Sequence, residues 1–356
     1  MKKSCIFLLT IFSLTYGYQG YLTIQSYYND ELKIKTSGQL SDITSNVIPV
    51  PLETPGSGIV KQVKRVQRDG DDIFLLGDNR LLHFNISGNF INQLAMEISD
   101  NEDIFIANYT LDTQLHQVIL IDSQRNILKY NYSGDLLSKS KINQPWRRIS
   151  AFAYYDGYLW ATAEKVVINA DDNTIQVTHC LYQLDSEMNE ISSQTLHYAD
   201  VGREILFHSF FVDELLVDEH GIYAYSSPAD MEYLIDDTLN ILLYKEIPMM
   251  SKTGYYGNAC VYPIRKGKHL MISTYCNKAD NCYTFCYDNT NHTAYLLSEG
   301  FNDDLYKTGH ITDLQPMDIY NKSYCYIKSG DDLSEKFPDR VKNNNNPILF
   351  LVTLKS

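Results

Sequence analysis

Residues 71–93 read DDIFLLGDNRLLHFNISGNFINQ. Ile73-Phe-Leu-Leu-Gly77 is an apolar run, and Gly77-Asp78-Asn79 after it is turn chemistry. Leu81–Phe84 is a second run, Asn85-Ile-Ser-Gly88 a second turn, and Phe90 opens a third run. Turn residues every six to eight positions between β-formers predict an antiparallel meander of three short strands.

The same pattern recurs downstream. Leu82-His-Phe-Asn-Ile-Ser-Gly88 matches Leu128-Lys-Tyr-Asn-Tyr-Ser-Gly134, and Leu181-Tyr-Gln-Leu-Asp-Ser-Glu187 is a looser copy. Thr284-Phe-Cys-Tyr-Asp-Asn-Thr290 is looser still. Gly88 and Gly134 supply positive φ in their turns, so the copies without glycine are expected to turn differently. Six apolar marker strands begin at Ile73, Val118, Tyr158, Ile222, Leu270 and Tyr324. A repeat of some 40–50 residues with several strands per unit predicts an all-β, six-bladed β-propeller. Two β-sandwich domains would leave six related markers unexplained.

The innermost strand of each blade is expected before its marker, near residues 59–66, 103–109, 147–154, 206–211, 258–264 and 311–319. The longer spacings place insertions in loops, notably after Ser226 and around residues 329–345. Val47-Ile-Pro-Val-Pro-Leu52 is a strand whose two prolines confine it to an edge. Pro347–Lys355 is a strongly β-forming strand at the other end of the chain. Pairing the two would supply the outer strand of blade six and close the ring. The domain reading is then a leader at 1–17, a polar, irregular extension at 18–45 and one propeller at 46–356.

Lys2 and Lys3, the apolar run Cys5–Leu14 and the small residues Thr15 and Gly17 form a secretory signal pattern. The run is too short to span a bilayer, and no cysteine follows it for lipid attachment. The expected location is periplasmic or secreted, without a transmembrane segment. A chain with a formal charge of −14 should repel nucleic acid and anionic membrane surfaces, so no nucleic-acid partner is expected. Six cysteines remain after the leader, and Cys276 and Cys282 flank a hairpin loop as a possible disulfide. No spacing suggests a zinc site.

Residues 47–54 (VIPVPLET), 80–91 (RLLHFNISGNFI) and 346–355 (NPILFLVTLK) resemble the opening strand, first-blade hairpin and closing strand of exported six-bladed β-propellers of Bacteroidetes. The resemblance runs from about residue 44 to the end and is thin between 200 and 310. It implies the six-bladed fold and export, and no activity. A glycine-rich segment usual after the first blade is replaced here by Ile98-Ser-Asp-Asn-Glu-Asp103.

Propellers bind where inner-strand ends converge on the channel mouth. Polar residues on the expected inner strands are therefore the ligand-binding candidates: Asn108, Arg147, Arg148, His208, Asn258, His310 and Asp313. His208 and His310 would lie two blades apart with no third histidine, so no metal is expected. The acidic clusters at 69–72, 171–172 and 331–332 lack calcium-loop spacing and read as hairpin turns. No nucleophile elbow, phosphate loop or dinucleotide fingerprint occurs, so no catalytic residue and no cofactor is assigned. The expectation is a monomeric, non-enzymatic propeller recognising a glycan, peptide or envelope protein at its channel face. The alternatives are a propeller-type glycan hydrolase or lyase and a structural partner in an envelope complex.

Overall fold

The computed structural model describes residues 33–56, 58–99, 104–144, 146, 148–168, 175–201, 212–218, 221–227, 231–235, 241–244, 260–264, 270–276, 282–288, 293–318, 323–333 and 347–355. The chain enters through β1 (Lys33–Lys35), β2 (Gly38–Gln39), the single helical turn α1 (Leu40–Ile43) and β3 (Thr44–Pro51). Four four-stranded antiparallel meanders follow. Blade one is β4 (Val63–Asp69), β5 (Asp72–Gly77), β6 (Arg80–Asn85) and β7 (Phe90–Leu94). Blade two is β8 (Ile106–Asp112), β9 (Gln117–Asp122), β10 (Asn126–Asn131) and β11 (Leu136–Lys141). Blade three is β12 (Arg148–Tyr155), β13 (Tyr158–Ile168), β14 (Ile175–Leu184) and β15 (Glu190–Val201). Blade four is β16 (Val212–Asp218), β17 (Gly221–Ser227), β18 (Met231–Ile235) and β19 (Ile241–Tyr244).

Blade five is β20 (Cys260–Ile264), β21 (Leu270–Cys276), β22 (Cys282–Asp288) and β23 (Thr293–Leu297), with β1 added in parallel to β23. A small sheet of β2, β24 (Phe301–Asp303) and β25 (Gly309–Ile311) comes next. Blade six is β26 (Gln315–Pro316), β27 (Tyr324–Lys328), β28 (Ile348–Leu354) and then β3. The C-terminal strand β28 thus pairs antiparallel with the N-terminal β3, Val352 facing Val47. Pro49 and Pro51 lie on β3 at the sheet edge, where no ladder donor is missed.

All six marker runs are second strands, and packing explains why they are apolar throughout. Alternate side chains of a strand point to opposite faces. Phe74 and Leu76 pack into one core with Val118 and Leu120 of blade two, while Ile73 and Leu75 pack with Leu349 and Leu351 of blade six. On blade two, Ile119 and Ile121 face Phe152 and Leu159 of blade three. A fourth core joins Leu297 of blade five to Tyr326 and Phe350 of blade six. Blades one, two and six are thus slices packed on both faces, and each such large apolar side chain contributes about 1.5–3 kcal/mol. First strands lie side by side: β12 lies against β8 and β16, and β16 against β20. Arg68 N donates to Met317 O (2.8 Å), which joins β4 to the segment after β26.

The recurrent turn after the third strands of blades one, two and three has one mechanism. Asn85 Oδ1 accepts from the backbone N–H of Ser87 and Asn89, and Asn131 Oδ1 from that of Asp135. Asp185 Oδ1 accepts from Glu187 and Asn189 in the same way. An Asn or Asp that bonds the backbone two to four residues ahead is the local alternative to continuing the ladder. Blade three therefore turns like the others, against the expectation from its missing glycine. Met188 takes the glycine's place at φ 68°, beside 87° for Gly88 and 96° for Gly134. Its side chain is buried in the core between blades two and three, which offsets the left-handed strain.

Three further expectations are corrected. The segment read as irregular contains β1, β2 and α1, bound to blade five and to the small sheet by backbone pairing. Its polarity hid strands because β1 and β2 only border existing sheets. The long spacing between the third and fourth markers goes into lengthened strands, since β13, β14 and β15 span 11, 10 and 12 residues. Asp331 and Asp332 lie in a helical turn, α2 (Gly330–Leu333 in chain position after β27), rather than in a hairpin. Of the insertions expected after Ser226 and around residues 329–345, β18 and β19 occupy part of the first stretch and α2 part of the second, and the rest lies outside the described residues.

Candidate functional site

The turns between first and second strands and those between third and fourth strands emerge at one end of the blades. At this end blades one and two carry a continuous polar network. Asp69 closes β4, and its Oδ2 accepts from the Tyr132 hydroxyl (2.9 Å) and lies 3.2 Å from His116 Nδ1. Tyr132 sits in the outer turn of blade two, and His116 in the turn from β8 to β9. The His116 ring meets the Tyr132 ring edge-on at 5.4 Å. His116 is 68% exposed, whereas Asp69 is mostly covered.

Beneath this group lies a second, buried layer. His83 Nε2 is 2.6 Å from Asp72 Oδ1, and its Nδ1 is 3.1 Å from the Tyr132 carbonyl oxygen. Both ring nitrogens are thus occupied by oxygen partners. The imidazole stacks on Phe74 at 4.4 Å and is only 4% exposed. Asn92 Nδ2 also donates to the Tyr132 carbonyl (3.0 Å). The network pins the outer turn of blade two onto blade one.

Electrostatics keep the phenols neutral. Burial, then the hydrogen bond and charge of Asp69, push Tyr132 far above the usual tyrosine range. Tyr154 on β12 is pushed up to about 12, first by burial and then by the Asp112 carboxylate beside it. Asp112 itself is buried and accepts from the backbone N–H of Gln114 and Leu115, which shapes the loop that presents His116. Both phenols therefore stay protonated at physiological pH and are able to donate hydrogen bonds.

The opposite end has a different construction. The first three inner strands carry a β-bulge near their start, at Lys64, Ala107 and Ser150, spaced evenly along the chain. Bulges re-aim the residues that follow. After them, Arg65 Nη1 donates to Asn108 Oδ1 across the first seam (3.0 Å), and the Arg65 guanidinium lies 5.8 Å from the Tyr109 ring centroid. The Ala151 N–H, displaced by its bulge, donates to Thr162 Oγ1 (3.0 Å). A groove of about 510 Å³ lies elsewhere, between β3 and the turn after β6, lined by residues 48–51 with Ile86 and Ser87. Its lining contains no titratable side chain.

Of the candidates read from sequence, Asn108 is on an inner strand and joins the bulge end. Arg148 opens β12, with a side chain outside the described set, and Arg147, His208 and Asn258 lie outside the described residues. His310 is not on an inner strand. It belongs to β25 of the small sheet, exposed and 3.2 Å from Glu299. The inner strand of blade six is only Gln315–Pro316, because residues 301–311 form their own hairpin first. Asp313 precedes that strand. Crowding by the protein raises its carboxyl pKa, and Lys328 opposes the rise. Lys328 Nζ also donates to the His310 backbone carbonyl oxygen (2.5 Å), which holds this cation where its charge acts on Asp313. Among the described residues no group of three or more His, Cys, Asp or Glu is placed to hold a metal, and no helix is long and apolar enough to cross a membrane.

The inner-strand search missed Asp69, His83, His116 and Tyr132, because most of them sit in turns or on outer strands. The comparison of repeats held a signal. His83 and Tyr132 stand at two of the three positions where the matching copies differ, against Lys129 and Ile86; the third sets Phe84 against Tyr130.

Among solved structures the chain is similar to a luciferin-regenerating enzyme, at 13% identity and TM-score 0.49, covering 87% of this chain and 97% of that one. It is also similar to the Pan2 WD40 domain of Neurospora crassa, at 10% identity and TM-score 0.43, covering 84% and 76%. Identities this low say nothing of activity. No curated protein matches the chain in sequence. A family model described as "6-bladed beta-propeller" matches residues 23–217, more than half of the chain. The chain belongs to this 6-bladed beta-propeller family.

Proposed function

We propose that this chain is an exported, non-enzymatic binding propeller that recognises a glycan at the turn end of blades one to three. Export is supported by the Lys2–Lys3 pair, the apolar run after it and the small residues at 15 and 17. Closure of six blades into a ring is supported by the β28–β3 pairing, which would act as the clasp. The observation that carries the ligand reading is the cluster of Asp69, His116 and Tyr132, with Tyr154 and Asp112 beside it. It offers planar rings next to carboxylates at a polar surface, the combination that stacks on a sugar ring and bonds its hydroxyls. A peptide or an envelope protein would need a broad contact patch instead.

A glycan array probed with the mature chain, alongside a hydrolysis screen on every bound glycan, tests this. His116→Ala and Asp69→Asn change exposed or partly exposed groups and should each weaken binding about tenfold, or about 1.4 kcal/mol. Binding unchanged in both variants, or no glycan bound at all, would remove the reading. Turnover of a bound glycan would replace it with a hydrolase or lyase.

A further inference from the structure

The last residue of β21, Cys276, is in register with Cys260 on β20 and with Cys282 on β22. Residues in register across a sheet share a face, so three cysteines form a row across blade five. In an antiparallel strand, one residue sends its N–H and C=O to the same side. Cys276 therefore forms a wide, hydrogen-bonded pair with one neighbour and a narrow pair with the other. The Cα separations are about 5.5 and 4.5 Å. Both lie within the span that a disulfide bridges. Cys260 and Cys282 are two strand spacings apart, about 9.6 Å, and cannot bridge each other. A straight row of this length also cannot converge on one tetrahedral zinc.

We propose that this row is a thiol–disulfide exchange site, with Cys276 as a pivot shared by two mutually exclusive disulfides. The row goes beyond the Cys276–Cys282 pair that the hairpin alone suggests, and it does not rest on the glycan reading. Oxidation forms the first bond: Cys276 and one neighbour lose two protons and two electrons to a disulfide oxidant such as oxidised glutathione, which becomes two thiols. The third cysteine stays one strand spacing from the new disulfide. Its thiolate attacks Cys276 Sγ, a new S–S bond forms, and the first partner leaves as a thiolate. The exchange consumes no electrons. Cys180, Cys286 and Cys325 are buried, and burial raises the Cys325 pKa strongly, so they stand aside.

The mature wild-type chain is equilibrated in glutathione redox buffer, acid-quenched, alkylated and digested with trypsin without reduction. Cleavage after Arg265 and Lys278 puts the three cysteines on separate peptides. The expected result is two linkages in one preparation, Cys260–Cys276 and Cys276–Cys282, with the remaining row thiol alkylated at Cys282 or Cys260 respectively. Cys260→Ser should leave only the second linkage, Cys282→Ser only the first, and Cys276→Ser neither. A single linkage in the wild type, or none, overturns the proposal whatever the variants do.

Discussion

Gly88 and Gly134 hold the same place in two copies of one turn, at φ 87° and 96°, yet their surroundings differ. A Cβ on Gly88 would lie 2.2 Å from the Pro51 carbonyl oxygen and 3.0 Å from Val50 Cγ1, because β3 runs against the turn of blade one. A Cβ on Gly134 would meet only Asn92, at 3.4 Å, an ordinary contact. The third copy places Met188 at the same point and buries its side chain. One glycine is needed for backbone conformation and for close approach. The second is needed for conformation alone, and the third position shows that buried side-chain packing can offset that conformational cost.

The comparison breaks first at Gly88. Gly88→Ala adds a backbone collision to the left-handed strain and should cost about 3 kcal/mol or more, read as a fall in the urea midpoint at constant m. It should also loosen the contact of β3 with blade one, where Glu53 N donates to Gly88 O (2.8 Å) and Glu53 Oε2 accepts from Phe90 N (2.8 Å). Hydrogen exchange at Glu53 and Phe90 would report that loosening. Met188→Gly should come next, at about 2 kcal/mol, since relief of strain does not replace a buried thioether side chain. Gly134→Ala should cost about 1 kcal/mol, the strain alone. If Gly134→Ala matched Gly88→Ala, the β3 contact would have no energetic role.

The smallest effect sharpens the comparison by pH. Blades one and two use Asn85 and Asn131 as the turn acceptor, and neither titrates. Blade three uses Asp185, whose carboxyl is held below its usual 3.8, first by the Asn189 side-chain amide and then by the Asn189 backbone N–H. A depressed native pKa gives stabilisation that is complete above the unfolded value and lost as pH falls through the folded one. Protection of the Glu187 and Asn189 amides should therefore drop below about pH 4, while Ser87, Asn89 and Asp135 amides hold. Asp185→Asn should abolish the difference. Equal acid sensitivity in all three turns would mean the carboxylate charge does not matter there.

Much of the fold was legible because its repeat is local. Apolar runs such as Ile73–Leu76 and turn residues such as Asn85 and Asp185 need no distant partner to declare themselves. Inner-strand starts were less legible: β4 begins at Val63 and β8 at Ile106, a few residues later than expected, where bulges at Lys64 and Ala107 interrupt the alternation. His310 went astray for a related reason. A short apolar–polar stretch pairs equally well with blade six or with the hairpin β24–β25, and Asp303 decides between them. Its buried carboxylate accepts from the N–H groups of Leu305 and Tyr306 and from the Thr308 and Tyr326 hydroxyls, which locks residues 301–311 into a unit of their own.

The amino-acid order determined what each segment could do alone: which runs form strands, which Asn and Asp residues start turns, and which side chains alternate. Those choices depend on residues within a few positions of one another. Only the tertiary structure decided which equivalent positions became different. It set Gly88 against Pro51, brought Asp69 and His116 to Tyr132, and aligned Cys260 and Cys282 with Cys276. Such meetings join residues far apart in the chain, and no local pattern encodes the distance between two blades.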